Sequence, residues 1–172
     1  LDRSEMIQYL TALSEILAAR GIKGELYLVG GAAMALAYDA RRSTRDIDAV
    51  FAPKDEVYRA AREVAAQFDL PDAWLNDAVK GFLAGPDPEA TSVLDLAGLR
   101  VLAASPRYML AMKLLAARRE DEADIRFLLR HLQIRDVDEA LQAVLDVYPE
   151  AQILPRTRYI VEEILLAPGG TG

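Results

Sequence analysis

"LVGGAAMALAYDARRSTRDIDAVF", residues 28–51, sets a glycine pair, Gly30-Gly31, at the end of one apolar run and two aspartates, Asp46 and Asp48, inside the next. Glu25–Val29 ("ELYLV") reads as a short strand running into the glycines, and Ala32–Tyr38 is alanine-rich and favours helix. "DARRST" is a polar connection, and Arg45–Phe51 reads as a second strand that Pro53 ends. Glycines between a strand and a helix let the backbone turn tightly, approach a ligand and point amide groups at an anion. A tight turn with close helix packing would use the same residues. No Gly-Lys-Ser/Thr follows and the longer dinucleotide fingerprint is missing, so neither a P-loop nor a Rossmann glycine motif is present.

In an extended strand, residues two apart share a side, so Asp46 and Asp48 project together while Ile47 turns to the core. Two carboxylates on one face repel each other. With hard oxygen donors, the cation that offsets this is Mg²⁺, which binds a few carboxylates and keeps other positions for water and substrate phosphates. Mn²⁺ would serve the same donors. A solvated edge strand with a charged outer face is the alternative.

Working outward, Ser4–Arg20 places Met6, Ile7, Leu10, Leu13, Ile16 and Leu17 at helical steps before Gly21. Lys54–Phe68 reads as a helix closed by Pro71, and a shorter helix is expected to hold Trp74, Leu75, Val79 and Phe82, with Trp74 in the core. "GPDPEA" is a loop. Ser92–Leu96 and Arg100–Ala104 are strand candidates hinged at Gly98. From Ser105-Pro106, an N-cap followed by a first-turn proline, the pattern is helical throughout, with further helices at Asp121–His131, Val137–Val147 and Arg156–Leu166. "APGGTG" is a flexible tail. The expected plan is α+β: a small α/β unit with a short mixed sheet over residues 1–104, then a helical C-terminal part over 105–172 packed on it.

The chain of 172 residues has no cysteine and a single histidine, His131, which excludes disulfides, thiolate zinc sites and multi-histidine metal centres. His131 reads as a surface or capping residue. No apolar run approaches the roughly 18 residues that span a bilayer. A cytoplasmic protein without membrane contact is expected. Lys and Arg number 20 against 27 Asp and Glu, a net charge of −7 that argues against broad nonspecific nucleic-acid binding. Local basic clusters remain at Arg41, Arg42 and Arg45 and at Arg118 and Arg119.

The passage "LVGGAAMAL…RRSTRDIDAVF" resembles the glycine and Asp-x-Asp motifs of the nucleotidyltransferase superfamily related to DNA polymerase β. More narrowly, it is similar to the AbiEii and MenT toxins of bacterial toxin–antitoxin systems, where Gly-Gly often replaces Gly-Ser. The likeness runs from about Leu28 to Leu129 and takes in "DAWLN" around Trp74–Asn76. Gly31 departs from the superfamily's serine, so phosphate contact there would rest on backbone amides. Lys113, a cation on the apolar face of "YMLAMKLLAA", and Asp124 in "ADIRFLL" match the group's third and fourth motifs in order. A snorkelling lysine would leave the same pattern. Asp121, one turn before Asp124, competes with it, although "RREDEAD" otherwise reads as a solvated face. Asp95 is a candidate third metal carboxylate.

The resemblance implies a metal-dependent nucleotidyltransferase. An acceptor hydroxyl attacks the α-phosphate of a nucleoside triphosphate and pyrophosphate leaves, with Asp46 and Asp48 holding Mg²⁺. Gly30, Gly31, Arg45 and Lys113 would bind the nucleotide, with Lys113 and Asp124 counted as catalytic. By likeness to the toxins the acceptor is the 3′ end of tRNA, contacted by Arg41, Arg42, Arg118 and Arg119, and the partner is a cognate antitoxin. A small-molecule acceptor, as in antibiotic nucleotidyltransferases, and a non-catalytic nucleotide- or partner-binding module are the alternatives.

Overall fold

Asp2 starts the first helix. Its carboxylate accepts from the Glu5 amide while Glu5 Oε2 accepts from the Asp2 amide, each at 2.9 Å, a reciprocal cap at the head of α1 (Arg3–Ala19). Met6, Leu10, Leu13 and Leu17 then fall on one side of α1 and are fully buried. The computed structural model describes residues 1–39 and 42–167. The chain forms two compact units, Leu1–Leu83 with Pro88–Ala104, and Ala84–Asp87 with Ser105–Gly172.

The first unit is built on a five-stranded mixed sheet. Its strands are β1 (Gly24–Leu28), β2 (Ile47–Ala52), β3 (Leu75–Asn76), β4 (Thr91–Asp95) and β5 (Leu99–Ala103), in the spatial order β3-β2-β1-β5-β4. β1 pairs parallel to β5 and antiparallel to β2, β2 pairs parallel to β3, and β4 with β5 forms the expected antiparallel hairpin. Side chains alternate across the sheet. Leu26, Leu28, Ile47, Ala49, Leu99 and Val101 are buried on the face that carries α1 and α3 (Lys54–Phe68). Tyr27, Asp48, Val50 and Leu102 take the alternate positions and are partly exposed. Gly98 at the hairpin tip lets β5 reach α1: a Cβ there would lie 2.1 Å from the Ser14 carbonyl oxygen, and its amide donates to Ser14 Oγ at 2.9 Å.

Three segments depart from the sequence-based expectation. The helix expected over 32–38 starts at the glycines as α2 (Gly30–Ala33) and widens into a π-helical turn over Met34–Tyr38. The second strand begins at Ile47, so Arg45 and Asp46 lie in a bend. The short helix expected around Trp74–Phe82 does not form; two 3-10 turns, Asp72–Trp74 and Lys80–Phe82, flank the two-residue strand β3. Trp74 is indeed core, with its indole N–H donating to the Ala61 carbonyl at 2.9 Å. With Trp74 anchored there, Leu75 and Asn76 pair with Ile47 and Asp48 and close the edge of β2.

The second unit is helical, as expected. Ser105 caps α4 (Pro106–Ala116) by accepting from the Tyr108 amide at 3.2 Å, and Asp136 caps α6 (Val137–Val147) by accepting from the Glu139 amide at 3.0 Å. Between them lies α5 (Glu122–His131), and α7 (Pro155–Leu166) follows. α4 packs on α5 and α6, and α7 on α5 and α6. The loop 84–87 belongs here, since the Ala84 amide donates to the Tyr108 hydroxyl at 2.8 Å and the Ser105 amide donates to Asp87 Oδ2 at 2.7 Å. Residues 168–172 of the tail lie outside the described residues, as does Arg41. Among the described residues no helix is long and apolar enough to cross a membrane.

Candidate active site

Gly30 takes φ +62°, a left-handed conformation that glycine adopts without steric cost. A Cβ on it would lie 4.0 Å from Asp48 Oδ2, so the turn faces the Asp48 carboxylate, and among the described residues no other atom comes within 4 Å of that position. The Val29 amide donates to the Asp48 carbonyl at 3.1 Å and fixes that register. Gly31 is not in the left-handed region; what bars a side chain there is Thr44, whose Oγ1 would be 2.8 Å and Cβ 3.0 Å from an added Cβ. Thr44 Oγ1 in turn donates to the Asp46 carbonyl at 3.0 Å. Ile47 is fully buried between the partly exposed Asp46 and Asp48. The first unit therefore gathers Gly30, Gly31, Asp46 and Asp48 at one end of β1 and β2. Asn76 is the register partner of Asp48, one inter-strand spacing of about 4.8 Å away and on the same face. Arg45 is exposed beside Asp46, and Arg42 lies 3.6 Å from Asp39 Oδ2.

The second unit holds a cluster of its own around Lys113. The ammonium lies 2.8 Å from both Asp121 Oδ1 and Asp124 Oδ2, and the three side chains are 11%, 7% and 15% exposed. Arg118 Nε donates to Asp121 Oδ2 at 2.8 Å. Burial pushes the Asp121 carboxyl up, but hydrogen bonds and charge from Lys113 and Arg118 outweigh it and hold the group below its ordinary value. An ammonium has three N–H groups, and these carboxylates take two. Lys113 does not snorkel. Asp121, the competitor of Asp124 in the sequence, is the one buried charged residue among the described residues, because the turn before α5 folds it under Arg118 and onto Lys113. Arg118 is committed to Asp121 and Glu120, while Arg119 is exposed.

Residues 5–148 match the model of the family described as nucleotidyltransferase of unknown function (DUF6036). The chain belongs to this family. No curated protein and no solved structure matches it.

Membership gives the Asp46–Asp48 pair of this family member a chemical context, and its donors suit a hard divalent ion. Two carboxylates stand one residue apart, and the glycine opposite Asp48 leaves open the space a Cβ would fill. Among the described residues no group of three or more acidic or histidine side chains gathers at one place. Asp95 does not join the pair. It is paired with Arg100 at the start of β5, three strands across from β2 and at the far end of the sheet from Asp48. Strand spacings put it roughly 14 Å across and about 13 Å along, too far for a shared ion. It bonds Lys23 at 2.9 Å instead, and that hydrogen bond and charge hold its carboxyl below the ordinary range. His131 is exposed at the end of α5, stacked on Phe127 with ring centroids 5.8 Å apart.

Sequence reasoning missed Thr44 and Asn76 as neighbours of the candidate residues, and set Asp121 against Asp124 as alternatives where both carboxylates reach Lys113. Thr44 stands two residues before Asp46 in the sequence, but its contact with Gly31 crosses the whole connection. Asn76 was visible as the end of "DAWLN" and had no role until β3 was seen beside β2.

Proposed function

We propose that this family member transfers a nucleoside monophosphate from a nucleoside triphosphate to an acceptor hydroxyl, most readily the 3′ end of tRNA, as the toxin of a toxin–antitoxin pair. The observation that carries the chemistry is the glycine turn set opposite Asp48, with Asp46 two residues before it. Asp46 and Asp48 hold Mg²⁺ or Mn²⁺, Gly30 lets the backbone approach the triphosphate, and Gly31 offers it a backbone amide. Bound there, the ion steadies charge on the transferring and leaving phosphates and helps ionise the nucleophile. The new bond joins the acceptor oxygen to the α-phosphorus, and the bond to the β-phosphate oxygen breaks to release pyrophosphate.

Lys113 and Arg45 supply further positive charge to the triphosphate. For Lys113 the support lies within its own unit, where Asp121 and Asp124 hold the ammonium in one position and leave it a third N–H. Arg42 and Arg119 are the arginines assigned to acceptor phosphates. The tRNA acceptor and the toxin role rest on the motif resemblance, joined by the local basic residues on an otherwise acidic chain. The test is incubation of the purified protein with each α-labelled nucleoside triphosphate, with and without total tRNA. Label is expected to move to tRNA in a Mg²⁺-dependent way. Label on a small hydroxylated compound alone would overturn the RNA acceptor, and no transfer to any acceptor would overturn the enzymatic reading.

A further inference from the structure

Resting on the metal site just proposed, we infer that Thr44 is a positioning residue that sets the height of Asp46 against the glycine turn. Two contacts place it there. Its hydroxyl donates to the Asp46 carbonyl at 3.0 Å, and the same side chain fills the space that a Cβ on Gly31 would need. Asp48 is held by the sheet, through the Val29 amide and its pairing with Asn76, whereas Asp46 lies in the bend before β2. A carboxylate outside the ladder needs another means of fixing its distance from its partner. Thr44 provides it by wedging its side chain between the first turn of α2 and the backbone that carries Asp46.

The wedge also explains the second glycine. Gly30 is required by its backbone conformation, but Gly31 is not in the left-handed region. An added Cβ at 31 would come within 2.8 Å of Thr44 Oγ1 and 3.0 Å of Thr44 Cβ, so a side chain at 31 and the present position of Thr44 exclude one another. The two residues form one unit: Gly31 lets Thr44 approach, and Thr44 holds Asp46.

The test is binding of Mn²⁺ alone, titrated by electron paramagnetic resonance, with thermal unfolding measured on the same samples. Thr44→Val keeps the shape that packs on Gly31 and loses the hydrogen bond. It is expected to weaken Mn²⁺ binding by about tenfold, the lower end of what removal of an outer-shell partner costs, with little change in Tm. Thr44→Ser keeps the hydroxyl and should bind within about twofold of wild type. Gly31→Ala, which pushes Thr44 from the other side, should weaken Mn²⁺ binding to a similar extent and decides the matter should Thr44→Val fail to fold. Wild-type Mn²⁺ affinity in both Thr44→Val and Gly31→Ala, with Asp48→Asn impaired, would overturn the role of Thr44 alone. Mn²⁺ binding in the wild type that Asp48→Asn leaves unchanged would overturn the metal site itself, and this inference with it.

Discussion

Replacing Lys113 with methionine removes one cation from between two largely buried carboxylates, each 2.8 Å from its nitrogen. The methionine matches the packing of the stem, so the cost is electrostatic. Removing one partner of a buried ion pair typically costs 3–5 kcal/mol. Arg118 stays bonded to Asp121 at 2.8 Å and offsets part of that, which leaves a loss of about 3 kcal/mol. At roughly 2–4 °C per kcal/mol for a chain of this size, Tm at pH 7 should fall by about 6–12 °C. The pH dependence separates charge from packing. Asp121 titrates below its ordinary value of 3.8, so the stability it draws from Lys113 is complete above that pH and is lost as pH falls through the lowered value. The gap between variant and wild type should therefore be widest near neutrality and shrink below about pH 4. Adding Asp124→Asn to the variant should restore part of the lost Tm, since one of the two carboxylates that faced the ammonium goes with the cation. Circular dichroism melts of the three proteins at pH 7 and pH 3.5 make the comparison. A gap under about 2 °C at pH 7, or one equally large at pH 3.5, would refute the charge account. Activity per folded molecule should fall ~10²-fold or more in the single variant.

Other predictions concern the acceptor and the frame. Arg42→Ala with Arg119→Ala should raise the apparent KM for tRNA and flatten its salt dependence, by about 0.7–0.9 in log–log slope for each RNA phosphate left without its arginine, while nucleotide affinity stays near wild type; steady-state kinetics at several salt concentrations checks this. Gly98→Ala would drive a methyl to 2.1 Å from the Ser14 carbonyl oxygen and 2.6 Å from the Ala18 amide nitrogen, and should destabilise the sheet unit by about 3 kcal/mol in a denaturant titration.

Periodicity made most of the fold legible. The apolar spacing of Met6 to Leu17, the alternation in β1 and β5, and the Ser105-Pro106 cap each specify an element from neighbours in the chain. The segment after Pro71 was not legible in that way. Its structure is decided by the seat of Trp74 against Ala61 and by two residues pairing with β2, and two residues are too few to display a period. The candidate site divides along the same line. The glycine pair and the Asp-x-Asp spacing are local signals and could be read. That Asp121 and Asp124 both turn inward could not be read, because which carboxylate of "RREDEAD" does so depends on where the turn after α4 places it relative to Lys113. The place of Asp95 has a similar cause: the sequence of Thr91–Asp95 does not say which way the strand runs in the sheet, and its direction carries Asp95 to the end opposite Asp48.

The central claim is that Asp46 and Asp48 together hold the ion that drives nucleotidyl transfer, and pyrophosphate release in saturating Mg²⁺ tests it most directly. Wild type, Asp46→Asn and Asp48→Asn should be compared with the nucleoside triphosphate and acceptor that support transfer. Each substitution changes the charge at nearly constant volume, so both variants should still fold and melt cooperatively. Pyrophosphate release should fall ~10²-fold or more in each of them. Release at near wild-type rates from both folded variants would contradict the claim.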